Sequence, residues 1–176
     1  MNARPLVRLA VLSIAAVTGA SAADAPPPAN PLDVVPEKMP FDVPYGAPIA
    51  LERAQAAIAA ATAEARKHDW KLNVAVVDTG GNLVAFERMD GAQLASIQIS
   101  EHKARTAATF RRETKAFENG IQQSSLNYLI TLDGVIASRG GIPLLQDGKL
   151  IGAIGCSGGT GSQDEVGCKA GAATIK

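Results

Sequence analysis

Four groups of residues in this chain of 176 residues carry chemistry by their type and spacing. The first is Glu101-His102-Lys103-Ala104-Arg105. A neutral imidazole is a good metal ligand, so His102 is either a ligand or a solvated or intersubunit histidine. Lys103 can anchor an anion, or it can pair with Asp90 or a glutamate. Glu101 and Arg105, four apart on a helix, satisfy each other for only a few tenths of a kcal/mol. The second group is Arg88 and Asp90, flanking the end of an apolar run. Arg88 can clamp a carboxylate through both nitrogens, or it can hold the Asp90-Gly91 turn as a structural ion pair. The third is Arg139 before Gly140 and Gly141, where a guanidinium either reaches an anion or lies flat over a sheet edge. The fourth is Cys156-Ser157-Gly158-Gly159. Its backbone N–H groups, with the helix that follows, can form an anion nest. Against a nest, Asp164 and Glu165 fill the first helical turn and complement its dipole themselves. No Gly-Lys-Ser/Thr follows, so this is not a P-loop. Packing plus capping is therefore favoured, with the backbone as a pocket wall. Cys156 has no motif placing a histidine beside it as a nucleophile would need. His68 falls in a last helical turn, where a cation is favourable.

These residues need elements to position them. Residues 49–68 repeat Leu51, Ala54, Ile58, Ala61 and Ala65 at helical spacing. Residues 72–77 and 83–88 read as strands joined by Thr79-Gly80-Gly81-Asn82. Residues 93–117 predict one long helix with Asn119-Gly120 as its stop. Residues 126–132 are a short strand or a loop, and 135–138 lead into Gly140. Residues 142–146 and 149–155 form a hairpin around Asp147-Gly148. A last helix spans 162–175, with Ser162 and Glu165 at capping-box spacing. Tight turns force antiparallel pairing. The sum is an α+β fold, an antiparallel sheet of about five strands with helices on one or both faces. The long helix carries two stripes, Leu94-Ile97-Ala104-Ala108 and Ile99-Thr106-Phe110-Phe117. One faces the sheet and the other predicts a second copy of the chain.

Arg4 and Arg8, an apolar run over 9–19 and Ala20-Ser21-Ala22 read as a cleaved secretory signal over residues 1–22. The run is too short to span a membrane, which takes ~20 apolar residues. Export places the protein in the periplasm or outside the cell. Residues 23–48 are proline-rich without apolar periodicity and predict an extended arm. Residues 49–176 form one domain. Lys and Arg balance Asp and Glu at 17 each, so nothing points to nucleic acid or an anionic membrane. Export permits a disulfide between Cys156 and Cys168. Two buried thiols are the favoured alternative, and a metal site is the least favoured, with no histidine near.

The segments V-A-V-V-D-T-G-G-N-L-V-A-F-E-R-M-D-G-A, S-I-x-I-S-E-H-K-A-R-T-A-A, R-G-G-I-P-L and G-A-I-G-C-S-G-G, followed by Q-D-E, stand here in that order. Together they resemble the GlcG/HbpS-like family, often described as haem-binding or haem-degrading, over nearly all of residues 49–176. The resemblance implies a profilin-like fold with a three-layer α/β/α arrangement, homo-oligomers, and in some members haem tied to redox sensing. On that footing haem is the expected cofactor; His102, by its own residue type and cationic neighbours that could pair the propionates, is the candidate iron ligand, beside its solvated or intersubunit reading. The alternative is an enzyme or binding protein for a small organic acid. There Arg88, Lys103 and Arg139 hold the anion and Asp90 acts as base. A third reading has the arm wrap a partner.

Overall fold

The computed structural model describes residues 30–39 and 41–176. The signal expected over 1–22 and the start of the arm lie outside the described residues. The chain divides into two units, Met1–Lys38 and Met39–Lys176. The described part of the first holds a single 3₁₀ turn, Pro31–Asp33, with the Asn30 side chain accepting from Leu32 N–H.

The second unit is an antiparallel four-stranded sheet between helices. The helix α1 (Leu51–Lys67) buries Ala54, Ala57, Ile58, Ala61, Thr62 and Ala65, the 3–4 spacing of one face. His68 ends it, its backbone N–H bonding Ala65 O. β1 (Asn73–Val77) is buried throughout, as a central strand must be. Asp78 then accepts from the N–H groups of Gly80 and Asn82 and turns the chain into β2 (Leu83–Arg88). β3 (Gly141–Gln146) and β4 (Lys149–Ser157) form the Asp147-Gly148 hairpin. The order is β2-β1-β4-β3. Helices α1 and α4 (Gly161–Ala172) cover one face, and α2 (Ala95–Thr109) covers the other.

Four differences from the sequence reading have physical causes. The sheet has four strands among the described residues. Residues 127–131 form a 3₁₀ turn, and the Thr106 hydroxyl donates to Gly134 O and accepts from Ile136 N–H. Within 126–132 the backbone bonds locally instead of to a strand, Leu129 N–H to Leu126 O and Leu132 N–H to Leu129 O. The long helix is broken into α2 and α3 (Lys115–Ser124), with Asn119 and Gly120 inside α3. Thr114 exchanges hydrogen bonds with Gly141, N–H to O at 3.0 Å and hydroxyl from N–H at 2.9 Å, which pulls the chain to β3. The capping box of α4 is Thr160 with Gln163, not Ser162 with Glu165, because Glu165 is engaged by lysines. Finally, Cys156 and Cys168 form a disulfide rather than two buried thiols. α4 folds back over the end of β4 and brings their Cα atoms to 5.6 Å.

The buried stripe of α2 is also not the expected one. It runs through Ser96, Ser100, Lys103, Ala104, Ala107 and Ala108, while Leu94 is 70% exposed and Ile97 and Ile99 are half-buried. Small residues face the sheet because the sheet offers glycines. A Cβ on Gly155 would run into the backbone of Ser100 and Ala104, and one on Gly141 into Lys103 O. Helix and sheet meet backbone to backbone.

Candidate functional site

The sequence candidates fall into three places. At the first, Lys103 projects from α2 into the core and is 1% exposed. Its ammonium donates to Asp164 Oδ2 at 2.8 Å and to Cys156 O at 3.2 Å. Asp164 also accepts from Gly159 N–H. Gly140, at φ 114°, lies against this pair, with Asp164 Cβ, Cys156 O and Lys103 Nζ all close enough to exclude a side chain. Gly158, at φ 149°, lies against the Lys71 carbonyl. Gly140, Gly141 and Gly158 are thus close-approach positions. Lys103 finds its carboxylate on α4, not in Asp90 or a glutamate.

Arg139 leads out of this joint to a surface network. Its Nε donates to Glu118 Oε1 at 2.8 Å, and its backbone N–H to Glu118 Oε2. It also approaches Glu165 at 3.6 Å. Lys115 and Lys169 reach Glu165 from either side. The hydrogen bond from Arg139 holds the Glu118 carboxyl below its ordinary 4.5, against the opposing pull of burial. For Glu165, burial raises the pKa, but Lys169 and Lys115 overcome it and the net shift is down. Both Lys103 and Arg139 are therefore already neutralised by carboxylates of this chain.

The second place is the end of the sheet where α2 begins. Arg88, Asn73 and Ser157 stand side by side across β2, β1 and β4. Asn73 donates to Gln93 O at 3.1 Å. Its Oδ1 is the one sealed side-chain atom without a partner among the described residues. Arg88 and Asp90 are both exposed, and neither has an ion-pair partner among the described residues.

The third place is the outer flank of α2. His102 is half-buried there, one turn before Thr106 and three residues after Ile99, so the three share a stripe. Thr106 fixes that stripe against residues 134–136. The other histidine, His68, is bound to Glu64 and stacked on Trp70 with ring centroids 4.4 Å apart. A recess of about 370 Å³ between α1 and β2, lined by Leu51, Ile58 and Phe86 among others, contains none of the candidates.

Sequence reasoning passed over Arg111 and Arg112. They follow α2 and sit among Phe41, Tyr45 and Phe117. An Arg-Arg pair between Phe110 and Phe117 was the available signal.

Protein GlcG of Escherichia coli K12 is 42% identical over 106 residues, 60% of this chain and 78% of that protein. A double mutant of Streptomyces reticuli HbpS superposes with a TM-score of 0.69 at 29% identity, covering 88% of this chain and 99% of that one. A crystal structure described as a PduOC:heme complex superposes at 0.66 with 26% identity, over 73% and 96% of the two chains. Residues 49–173 match the family described as "Haem degrading protein HbpS-like". With that match spanning most of its length, this chain belongs to the HbpS-like family.

Proposed function

We propose that this protein is an exported, homo-oligomeric haem-binding protein with His102 as the iron ligand. The carrying observation is the family match over residues 49–173 together with a half-buried histidine on the outer flank of α2. A solved relative is described as a complex with haem. Among the described residues no group of three or more His, Cys, Asp or Glu could hold a bare metal ion. Iron carried by a porphyrin needs one axial donor instead, and a free imidazole supplies it. The stripe Ile99-His102-Thr106 offers that donor with an apolar neighbour, and Arg105 one turn on offers a cation for a propionate. Bound haem would supply redox chemistry, with His102 orienting the iron and the α2 flank excluding water from one face.

The disulfide between Cys156 and Cys168 supports export, because such bonds persist in oxidising compartments. No described helix is long and apolar enough to cross a membrane. Exposed Leu94 and half-buried Ile97 and Ile99 support a second copy on α2, and light scattering after size exclusion will read the assembly mass.

The test is a Soret-region titration with haemin beside His102→Ala. Saturable binding is expected, weakened at least ~10-fold in the variant, about 1.4 kcal/mol. Undiminished binding in His102→Ala moves the iron ligand elsewhere, and absence of saturable binding removes the haem reading.

A further inference from the structure

We propose that Arg111 and Arg112 form an oxyanion site for a carboxylate carried on a flat, unsaturated body. The site goes beyond the haem reading and does not rest on it. Arg111 has φ 55°, a left-handed backbone that a residue with a side chain adopts only where its surroundings impose it. Its Nη1 donates to Val43 O at 2.9 Å, and its guanidinium carbon stands 5.4 Å from the Tyr45 ring centroid. Arg112 donates from Nε to Phe110 O at 3.2 Å. Its guanidinium lies 3.2 Å over the Phe41 ring centroid and 4.9 Å from that of Phe117.

What sets the pair apart is that two adjacent half-buried cations both lack a carboxylate among the described residues. Lys103, Lys115, Arg139 and Lys169 each meet a carboxylate. Arg111 and Arg112 are half-buried, and among the described residues neither has a carboxylate within 4.0 Å. Burial lowers the pKa of Arg112, the Tyr128 hydroxyl opposes this, and the adjacent Arg111 charge lowers it further. Two neighbouring cations in a partly desolvated place are an unfavourable arrangement until an anion joins them.

Two plainer roles leave that charge unexplained. The carbonyl end of α2 attracts cations, but it carries only roughly half an elementary charge. It also already receives the Tyr45 hydroxyl on Thr109 O. Stacking of Arg112 on Phe41 anchors the arm, but stacking uses the faces of a guanidinium. Oxyanions bind its edges. Among the described residues the terminal nitrogens of Arg112 make no hydrogen bond, and they are not sealed, since the sealed unpaired side-chain atom there is Asn73 Oδ1. The aromatic contacts thus fix the plane of a fork whose Nη1–Nη2 edge stays free among the described residues. Phe41 and Tyr45 supply apolar wall beside it. The chemistry that fits is a carboxylate with a planar body, either a free aromatic acid or the propionate edge of haem.

The test is an amide NMR titration of the intact protein with benzoate, with benzamide as the uncharged comparator. Saturable shifts are expected at residues 41–45 and 110–112, with benzamide at least tenfold weaker. Arg112→Gln and Arg111→Gln should each weaken benzoate tenfold or more, and Arg66→Gln, at an exposed ion pair with Glu87, should leave it unchanged. Should Arg112→Gln fail to fold, Arg111→Gln decides alone. Displacement of benzoate by haemin identifies the haem propionates as the natural carboxylate, and persistence of benzoate identifies a free acid. Absent saturation, equal binding of benzamide, or undiminished binding in the arginine variants overturns the proposal.

Discussion

Lys103 shows how one residue can carry a site's chemistry and serve as a strut. Its ammonium and the Asp164 carboxylate are each nearly sealed, with side chains 2% and 3% exposed. Removing one partner strands a buried charge, which costs ~3–5 kcal/mol. Lys103→Met should therefore lower urea stability by about that amount, while Lys103→Met combined with Asp164→Leu should recover much of the loss. A double-mutant cycle by equilibrium unfolding reads the coupling. Acid acts on the outer network. Glu118 and Glu165 are held below their ordinary 4.5 in the folded chain. Their contribution is present above the unfolded value and is lost as pH falls through the lower folded values. Stability measured from pH 6 downward should stay level and then fall below about 4.5, and Glu118→Gln should flatten that fall. The sequence displayed Lys103 beside His102 as one motif. Adjacent residues on a helix point about 100° apart, and here one faces the core and the other the flank. Its partner lies 61 positions away, a distance over which no local pattern speaks.

At the scale of elements, the glycines decide how α2 rests on the sheet. Gly155 and Gly141 remove the side chains that would stand between helix and strands. Gly155→Ala should cost at least ~3 kcal/mol, the upper end for overpacking, because the obstacle is backbone rather than a movable side chain. Gly134→Ala meets nothing within 4 Å and should cost only its φ of 75°. Comparing the two unfolding midpoints separates steric from conformational cost. Helices α1 and α4 and both hairpins were legible, because alanine periodicity and the Gly80-Gly81 and Asp147-Gly148 turns are local signals. The break after α2 was not. Arg111, Arg112 and Glu113 are good helix formers, and the break is imposed by Thr114 bonding Gly141 across the fold.

For the molecule as a whole, the disulfide ties the last helix to the central sheet. It closes a loop of 12 residues, for which loop entropy gives about 2–4 kcal/mol. Thermal melts with and without reductant should differ accordingly, and Cys168→Ala should match the reduced protein. The layering, α1 and α4 on one face and α2 on the other, agrees with the fold expected from the family motifs. The match of the curved glycine-rich hairpin to its helices needed all three layers, so no single stretch of sequence announced it. One connection reaches outside the matched domain. Where β1 ends, β4 continues, and Leu150 N–H donates to Pro44 O while Leu150 O accepts from Gly46 N–H. Ile49 N–H closes onto Ile151 O just beyond. A recombinant fragment beginning at residue 49 would carry an open notch in its sheet at Leu150, a donor and an acceptor facing water. Such a notch is a docking template for any extended peptide, the geometry exploited in donor-strand complementation. A fragment cut there would be sticky for want of the three residues Pro44, Tyr45 and Gly46, and a synthetic peptide spanning 43–48 would restore its solubility.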